Sequence, residues 1–369
     1  MRLDEVLVAL ERLAPLGTAA SWDNVGLLLG DPAAAVERVL TCLTLTADVA
    51  AEAKAAGVQL IVTHHPVLFR PVQRLTAASA EGRVLLSLAR AGIAVYSAHT
   101  AYDNSRGGIN DLLAERLGLA NVTPLQLQPA PPRCKLVVFV PEPDLGRVSD
   151  ALFAAGAGVI GDYEQCSFRL TGTGTFFGLD TTSPTVGQKG RREEVAEWRL
   201  EVVVPKARLA STIAALRQAH SYEEPAFDVY PLEAGPGADG VGRRGTLSSP
   251  VAPTDFASLV CQALGSGGAE AILGSRPVQS VGIVCGAGGS LLGEARAAGV
   301  DAFVTGEMRF HDQLAAREAG LSVILPGHYA TERPGVERLA RQIAEACPGL
   351  ECFASQQEKP PAAWWPPRG

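Results

Sequence analysis

No run of eighteen apolar residues occurs in this chain, so no membrane-spanning helix is predicted. No block of basic residues occurs either. The two "GRR" runs, at 190–192 and 242–244, are short, and the net charge is −7, which argues against non-specific binding to nucleic acid. Cysteines number seven, an odd count, scattered and without a C-x-x-C pair; this excludes a disulfide scaffold and a zinc ribbon and points to a reducing compartment. Phosphate-binding P-loops and seryl nucleophile elbows are absent. The first residues, "MRLDEVLVALERLAP", carry acids inside their apolar periodicity, so they read as an amphipathic helix and not as a signal peptide. A soluble cytoplasmic protein is expected. Aromatics make up only 6% of a chain that is 47% hydrophobic, so the core must be built mostly from Ala, Leu and Val.

What is present is strand–helix alternation. Strand-like runs at 39–45, 59–64 and 93–99 are separated by helical patterns at 48–57, 81–92 and 108–118. Continuous apolar strands with helices between them predict a mostly parallel sheet covered on both faces. The proline-rich stretch "TPLQLQPAPPR" (123–133) breaks the pattern and reads as a linker. After it the order becomes β-α-β-β-α-β, a ferredoxin-like unit. A second linker, "EAGPGADGVG" (233–242), leads back into α/β alternation. The predicted fold is a split α/β/α domain (1–124 and 236–355), interrupted by a ferredoxin-like α+β insert (125–235) and followed by a flexible tail (356–369). In that tail, Trp364-Trp365 raises the further reading of a partner-binding scaffold.

Sites in open parallel sheets form at the C-terminal ends of strands. Here those ends read "THHP", with His64 and His65; "SAHTAYDN", with His99 and Asp103; "TGEMRFHD", with Glu307, His311 and Asp312; and "PGHYATE", with His328 and Glu332. Five of six histidines fall at these ends, and only His220 lies in the insert, where a ligand role is not expected of it. Imidazole and carboxylate together suit zinc, iron, manganese, nickel or cobalt. Adjacent strand-end histidines diverge, so they serve two ions more naturally than one. A carboxylate such as Asp103 or Glu332 can bridge, and two ions roughly 3.5–4 Å apart sharing a water make a hydrolytic centre. Pro334 predicts a helix starting near Thr331, with His328 in the loop before it. The turn "CGAGGS" offers Gly286, Gly288, Gly289 and Ser290 as an anion seat. In "SWDNVGLLLGD", Asp23-Asn24 reads as a simple turn, and Glu223 and Glu224 read as a surface charge cluster.

Taken in order, "SWDNVGLLLG", "THHP", "SAHTAYDN", "CGAGGS", "TGEMRFHD" and "GHYATE" resemble the Nif-three-like family, often described as GTP cyclohydrolase 1 type 2 homologues. The resemblance covers roughly 1–120 and 240–350. Residues 125–235, with "SYEEPAFDVYPL", are similar to the PII/CutA-like insert of the longer members. The resemblance implies a dinuclear metal centre with His64, His65, Asp103, His328 and Glu332 as ligands, and His99 and His311 lining the cleft. It also implies a toroidal homohexamer with the metal sites facing an internal cavity. The expected function is a dinuclear metal-dependent hydrolase of a small phosphorylated or nucleotide-like substrate, with His99 or His311 moving protons. The competing expectation is a non-enzymatic metal-binding, delivery or regulatory hexamer whose insert senses a small molecule.

Overall fold

The structure is a computed structural model and describes residues 1–362. Trp364-Trp365 therefore lie outside the described residues. The chain divides into two compact units, Met1–Gln128 with Ala238–Gly369, and Pro129–Gly237.

The first unit is built on two sheets, where the sequence predicts a single mostly parallel one. One sheet runs, in spatial order, Gly26–Leu29, Ala94–Ser97, Leu60–Thr63, Arg38–Cys42 and Glu351–Ala354. Its last four strands are parallel, and Gly26–Leu29 closes the edge antiparallel. The other runs Glu270–Ile272, Ser322–Leu325, Ala302–Thr305, Val278–Val284, Arg243–Val251 and Ala120–Thr123. Only its three middle strands are parallel; the flanking strands pair antiparallel. The strands from Leu60, Ala94, Ala302 and Ser322 are buried along their whole length, which explains their unbroken apolar runs.

One core cluster joins the two sheets. It contains Val39, Val62 and Tyr96 from the first sheet and Val281, Ile283, Val304 and Ile324 from the second. The helix His328–Ala346 lays Leu339 and Ile343 into it, a spacing of one turn along a single face. This helix crosses from the second sheet and delivers the chain to Glu351–Ala354, the edge strand of the first. Buried Arg243 ties the sequence-distant halves of the unit together. Its guanidinium bonds Asp111 and donates to the carbonyls of Ser105 at 2.9 Å, Gly242 at 2.8 Å and Gly240 at 3.0 Å.

The two predicted linkers are not structureless: Gln126–Pro129 and Pro236–Val241 pair as a two-stranded ribbon. The second unit has the predicted β-α-β-β-α-β order. Its antiparallel sheet runs Phe227–Leu232, Arg133–Pro141, Arg192–Pro205, Phe168–Phe177, that is, fourth, first, third, second. Leu136, Val138, Val140, Leu200, Val202 and Val204 pack one face of it against Val148, Leu152 and Leu216 of the two helices. Among the described residues no helix is long and apolar enough to cross a membrane.

Candidate metal centre

The double histidine sits where the strand Leu60–Thr63 runs out, and its backbone is pinned there. The His64 and His65 amides continue the parallel ladder, donating at 2.8 Å to the carbonyls of Cys42 and Leu43. The Ser97 hydroxyl and the His99 amide donate to the His64 carbonyl. The helix His99–Asn104 starts directly after Ser97-Ala98 and carries Asp103 on its last turn. From the second sheet, the strand Ser322–Leu325 leads into the helix that begins at His328.

That helix overturns the predicted start near Thr331. Pro334 lies inside it, at the cost of one missing amide donor. The turn before Pro334 holds because the Thr331 amide and hydroxyl both donate to the Gly327 carbonyl, and the hydroxyl also reaches the His328 carbonyl at 2.8 Å. His328 and Glu332 are thereby neighbours on one helical face, Nε2 to Oε2 2.9 Å.

Five side chains from three segments converge. His65 Nε2 lies 2.9 Å from the same Glu332 Oε2 that His328 approaches. His64 Nε2 lies 3.8 Å from Glu332 Oε1 and 3.6 Å from Asp103 Oδ1. One carboxylate thus addresses three imidazoles, and the two groups His65–His328–Glu332 and His64–His65–His99 each bring their ligand atoms within 4.8 Å. The predicted divergence of His64 and His65 is not seen: their ring centroids are only 5.3 Å apart, with the planes tilted by 53°, and both rings turn to Glu332, His64 to Oε1 and His65 to Oε2.

The electrostatics are those of a site made for positive charge. Burial disfavours ionised Glu332, but the imidazoles of His328, His64 and His65 outweigh it and hold the carboxyl well below its ordinary range. Burial likewise opposes a charged His64, and Asp103 and Glu332 prevail over it and raise its pKa. Burial pushes the Asp103 carboxyl up, against the pull of His64. The hydrogen bond to Glu332 lifts His328 to about 9.

Behind three of the histidines stand groups that fix the rings. The Thr44 hydroxyl lies 2.8 Å from His65 Nδ1, and Glu307 Oε1 lies 3.2 Å from His328 Nδ1. His99 Nδ1–H donates to Asp23 Oδ1 at 2.8 Å, so its Nε2 is the nitrogen left free. Asp23 is more than a turn residue. Its side chain is fully buried, accepts the amides of Asn24 and Thr100 at 2.7 and 3.1 Å, and takes the Thr100 hydroxyl as well. Burial raises the Asp23 carboxyl, but the bonds from His99 and Thr100 prevail and bring it down to about 2. Thr44 is itself held from the C-terminal side: Glu358 accepts the Leu43 and Thr44 amides at 2.8 and 2.5 Å. The chain is therefore tied down as far as 358, beyond the predicted end of order.

Not every predicted residue joins the cluster. His311 is exposed on the helix Phe310–Glu318, with the Phe310 ring beside it, and belongs to neither ligand group. In the glycine turn, the amides of Cys285, Gly286 and Gly288 are spent on Asn110, Thr331 and Thr305. Gly286 and Gly288 and Gly289 are buried, and only Ser290 of that predicted seat is exposed. The turn's visible task is spatial. At Gly286, φ is +62°, and a Cβ would stand 2.1 Å from Glu332 Oε1. His220 is a satisfied core histidine of the second unit, its Nδ1 accepting the Tyr222 amide and its Nε2 donating to the Phe139 carbonyl, both at 3.0 Å. Glu224 meets Arg217 on the surface. Asp23, Thr44, Thr100 and Glu358 carry no sequence signal of their own, because each is recognisable only from what it touches.

Comparison with known proteins agrees with this architecture. The family model described as Duf34/NIF3 (NGG1p interacting factor 3) matches residues 1–361. A Bacillus subtilis protein named GTP cyclohydrolase 1 type 2 homolog is 35% identical over 362 residues, covering 97% of each chain. A Mycobacterium tuberculosis protein of the same name is 38% identical over 341 residues, 90% of this chain and 89% of the other. A crystal structure of a Bacillus cereus protein related to NIF3 superposes with a TM-score of 0.77 at 34% identity, covering 99% of each chain. This chain belongs to the Duf34/NIF3 family.

Proposed function

We propose that the protein is a dinuclear metal-dependent hydrolase of a small phosphorylated or nucleotide-like substrate. One observation carries the reading. Among the described residues, both ring nitrogens of His64 and Oδ1 of Asp103 are buried without a hydrogen-bond partner, although His64 Nε2 stands 3.6 Å from that Oδ1. Such orphaned atoms are costly unless a further group satisfies them, and a cation is the group that neutral imidazole and carboxylate both accept.

His64 and Asp103 would hold one ion and His65 and His328 the other, with Glu332 shared. Two divalent ions there would supply Lewis acidity and an activated water. Zinc, iron, manganese, nickel and cobalt all suit this donor set. The chain's own part is to orient and to move protons. Thr44 and Glu307 fix the rings of His65 and His328. Asp23 holds the His99 tautomer that leaves Nε2 bare beside His64 and His65, and His99 Nε2 takes up and returns the proton of the hydrolytic step.

A second reading rests on a separate feature. The second unit, read as PII/CutA-like, contains a cavity of about 640 Å³ lined by Phe139, Phe176, Glu197, Arg199 and Tyr222, among others. A small molecule bound there would make the protein a regulated metal carrier. Both readings take the protein as a cytoplasmic homohexamer, which light scattering on the native protein checks.

Elemental analysis of protein purified without added metal tests the centre. Two ions per chain are expected, with loss of one or both in His65→Ala and Asp103→Ala. Metal-free protein, or variants that keep full occupancy, would refute it. A loaded protein that turns over no phosphoester, nucleotide or cyclic amide on a broad panel would leave the carrier reading in place of the hydrolase.

A further inference from the structure

Trp22 and Phe69 are left in water, 63% and 45% exposed, beside His99 of the histidine cluster. Their ring centroids are 6.1 Å apart with the planes at 74°. Both rings also face His99 edge-on, Trp22 at 6.0 Å and Phe69 at 6.5 Å. On its other side His99 meets His64 and His65, at 5.3 and 5.8 Å. A single exposed aromatic needs no explanation. Two set at right angles, one ring away from a metal-ligand cluster, form a corner with one face and one edge.

The backbone beneath the corner is built to hold it. Leu68, just before Phe69, adopts φ +55°, a left-handed conformation that residues with a Cβ seldom take. It is fixed from both sides: its amide donates to Glu81 at 3.0 Å, and its carbonyl accepts the Asn24 side-chain amide at 2.9 Å. That second bond joins the segment carrying Phe69 to the segment carrying Trp22. Asp23, between Trp22 and Asn24, is anchored on Thr100 and His99. The loops are therefore tied inward while the rings they carry are held outward, the reverse of what burial of apolar surface would produce unaided.

We infer that Trp22 and Phe69 form the seat for a planar aromatic or heteroaromatic ring of the substrate, of nucleobase size. The ring lies on the indole face and meets the phenyl edge. His99 stands between this seat and the ligand cluster. A ring on the corner therefore places the group attached to it over His64 and His65. The anionic end of such a ligand rests on the metal centre proposed above, whereas the ring seat rests on Trp22 and Phe69 alone.

The test is calorimetric titration of the full chain, metal-loaded and metal-free, with adenosine 5′-monophosphate and with ribose 5-phosphate. The two probes share the phosphate and differ by the base. The base-bearing probe is expected to bind at least about tenfold more tightly. Trp22→Ala and Phe69→Ala together should bring the two probes to within about threefold, with metal content, melting temperature and the affinity for ribose 5-phosphate unchanged. Trp22→Phe should keep most of the preference. Equal binding of the two probes by the native chain, no binding of either, or a preference that survives the double variant overturns the seat. So does an unchanged preference in a double variant whose oligomeric state changes, which would make the corner a contact between copies. Metal content is read separately, so a chain without ions refutes the metal centre while the metal-free titration still decides the seat.

Discussion

Asp23→Asn changes one buried oxygen and tests the support behind His99. In the native chain the Asp23 carboxylate accepts four bonds: from His99 Nδ1, the Asn24 amide, the Thr100 amide and the Thr100 hydroxyl. Every partner is a donor, and the side chain is fully buried, so solvent screens none of it. A carboxyl held at about 2 rather than 3.8 contributes roughly 2 kcal/mol at pH 7, taking 1.36 kcal/mol for each tenfold in proton affinity. The folded value is the lower one. The contribution is therefore complete above the unfolded pKa, drains as pH falls through the folded value, and stands at about half near pH 3. An asparagine puts an NH₂ where only acceptors fit. Urea unfolding, followed by hydrogen exchange on peptides of the first unit, should show a loss of about 2 kcal/mol at pH 7 that narrows towards pH 3. Imidazole nitrogen NMR should show the His99 tautomer no longer fixed, and turnover should fall about 10- to 100-fold. A variant as stable as the parent at pH 7, or a gap that does not narrow in acid, would refute the reasoning.

Gly286→Ala should strip metal from the protein, because the new Cβ would collide with Glu332 Oε1; Gly299→Ala, also at positive φ but with nothing within 4 Å, is the control that should keep its ions. His328 is raised above its unfolded value, so in metal-free protein its stabilising pairing is complete below 6.5 and lost as pH rises through about 9. Metal must displace that proton, so affinity should rise from pH 7 to 9, and a pH indicator should report proton release on loading at pH 7. Arg243→Met leaves Asp111 and several carbonyls without their donor and should cost about 3–5 kcal/mol in denaturant unfolding. Loss of less than about 1 kcal/mol would show that these acceptors find other partners.

Much of the centre was legible without coordinates because strands announce their own ends. Apolar runs stop at Thr63, Ser97, Thr305 and Leu325, and in parallel sheets that edge is where chemistry collects. His64, His65, Asp103, His328 and Glu332 could be nominated on that ground. His311 could be nominated on it equally well, yet it faces solvent. Position after a strand does not say which way the next helix turns its side chains. The helix through Pro334 begins earlier than its local sequence indicates for a related reason. A proline's local preference says the helix should begin there, whereas burial of Val336, Leu339 and Ile343 and the Thr331 bonds carry it back to His328.

Local pattern determined the elements, the ferredoxin-like order of the second unit and the residue types waiting at the strand ends, because 3.6-residue and two-residue periodicities are written in neighbouring residues. Tertiary structure decided the rest. It alone divides the first unit into two sheets and brings Glu332 to His65. It also sets Asp23 behind His99 and stands Trp22 against Phe69. Those meetings join residues far apart in the chain, and they follow from strand order and a shared core, which no local window of sequence contains.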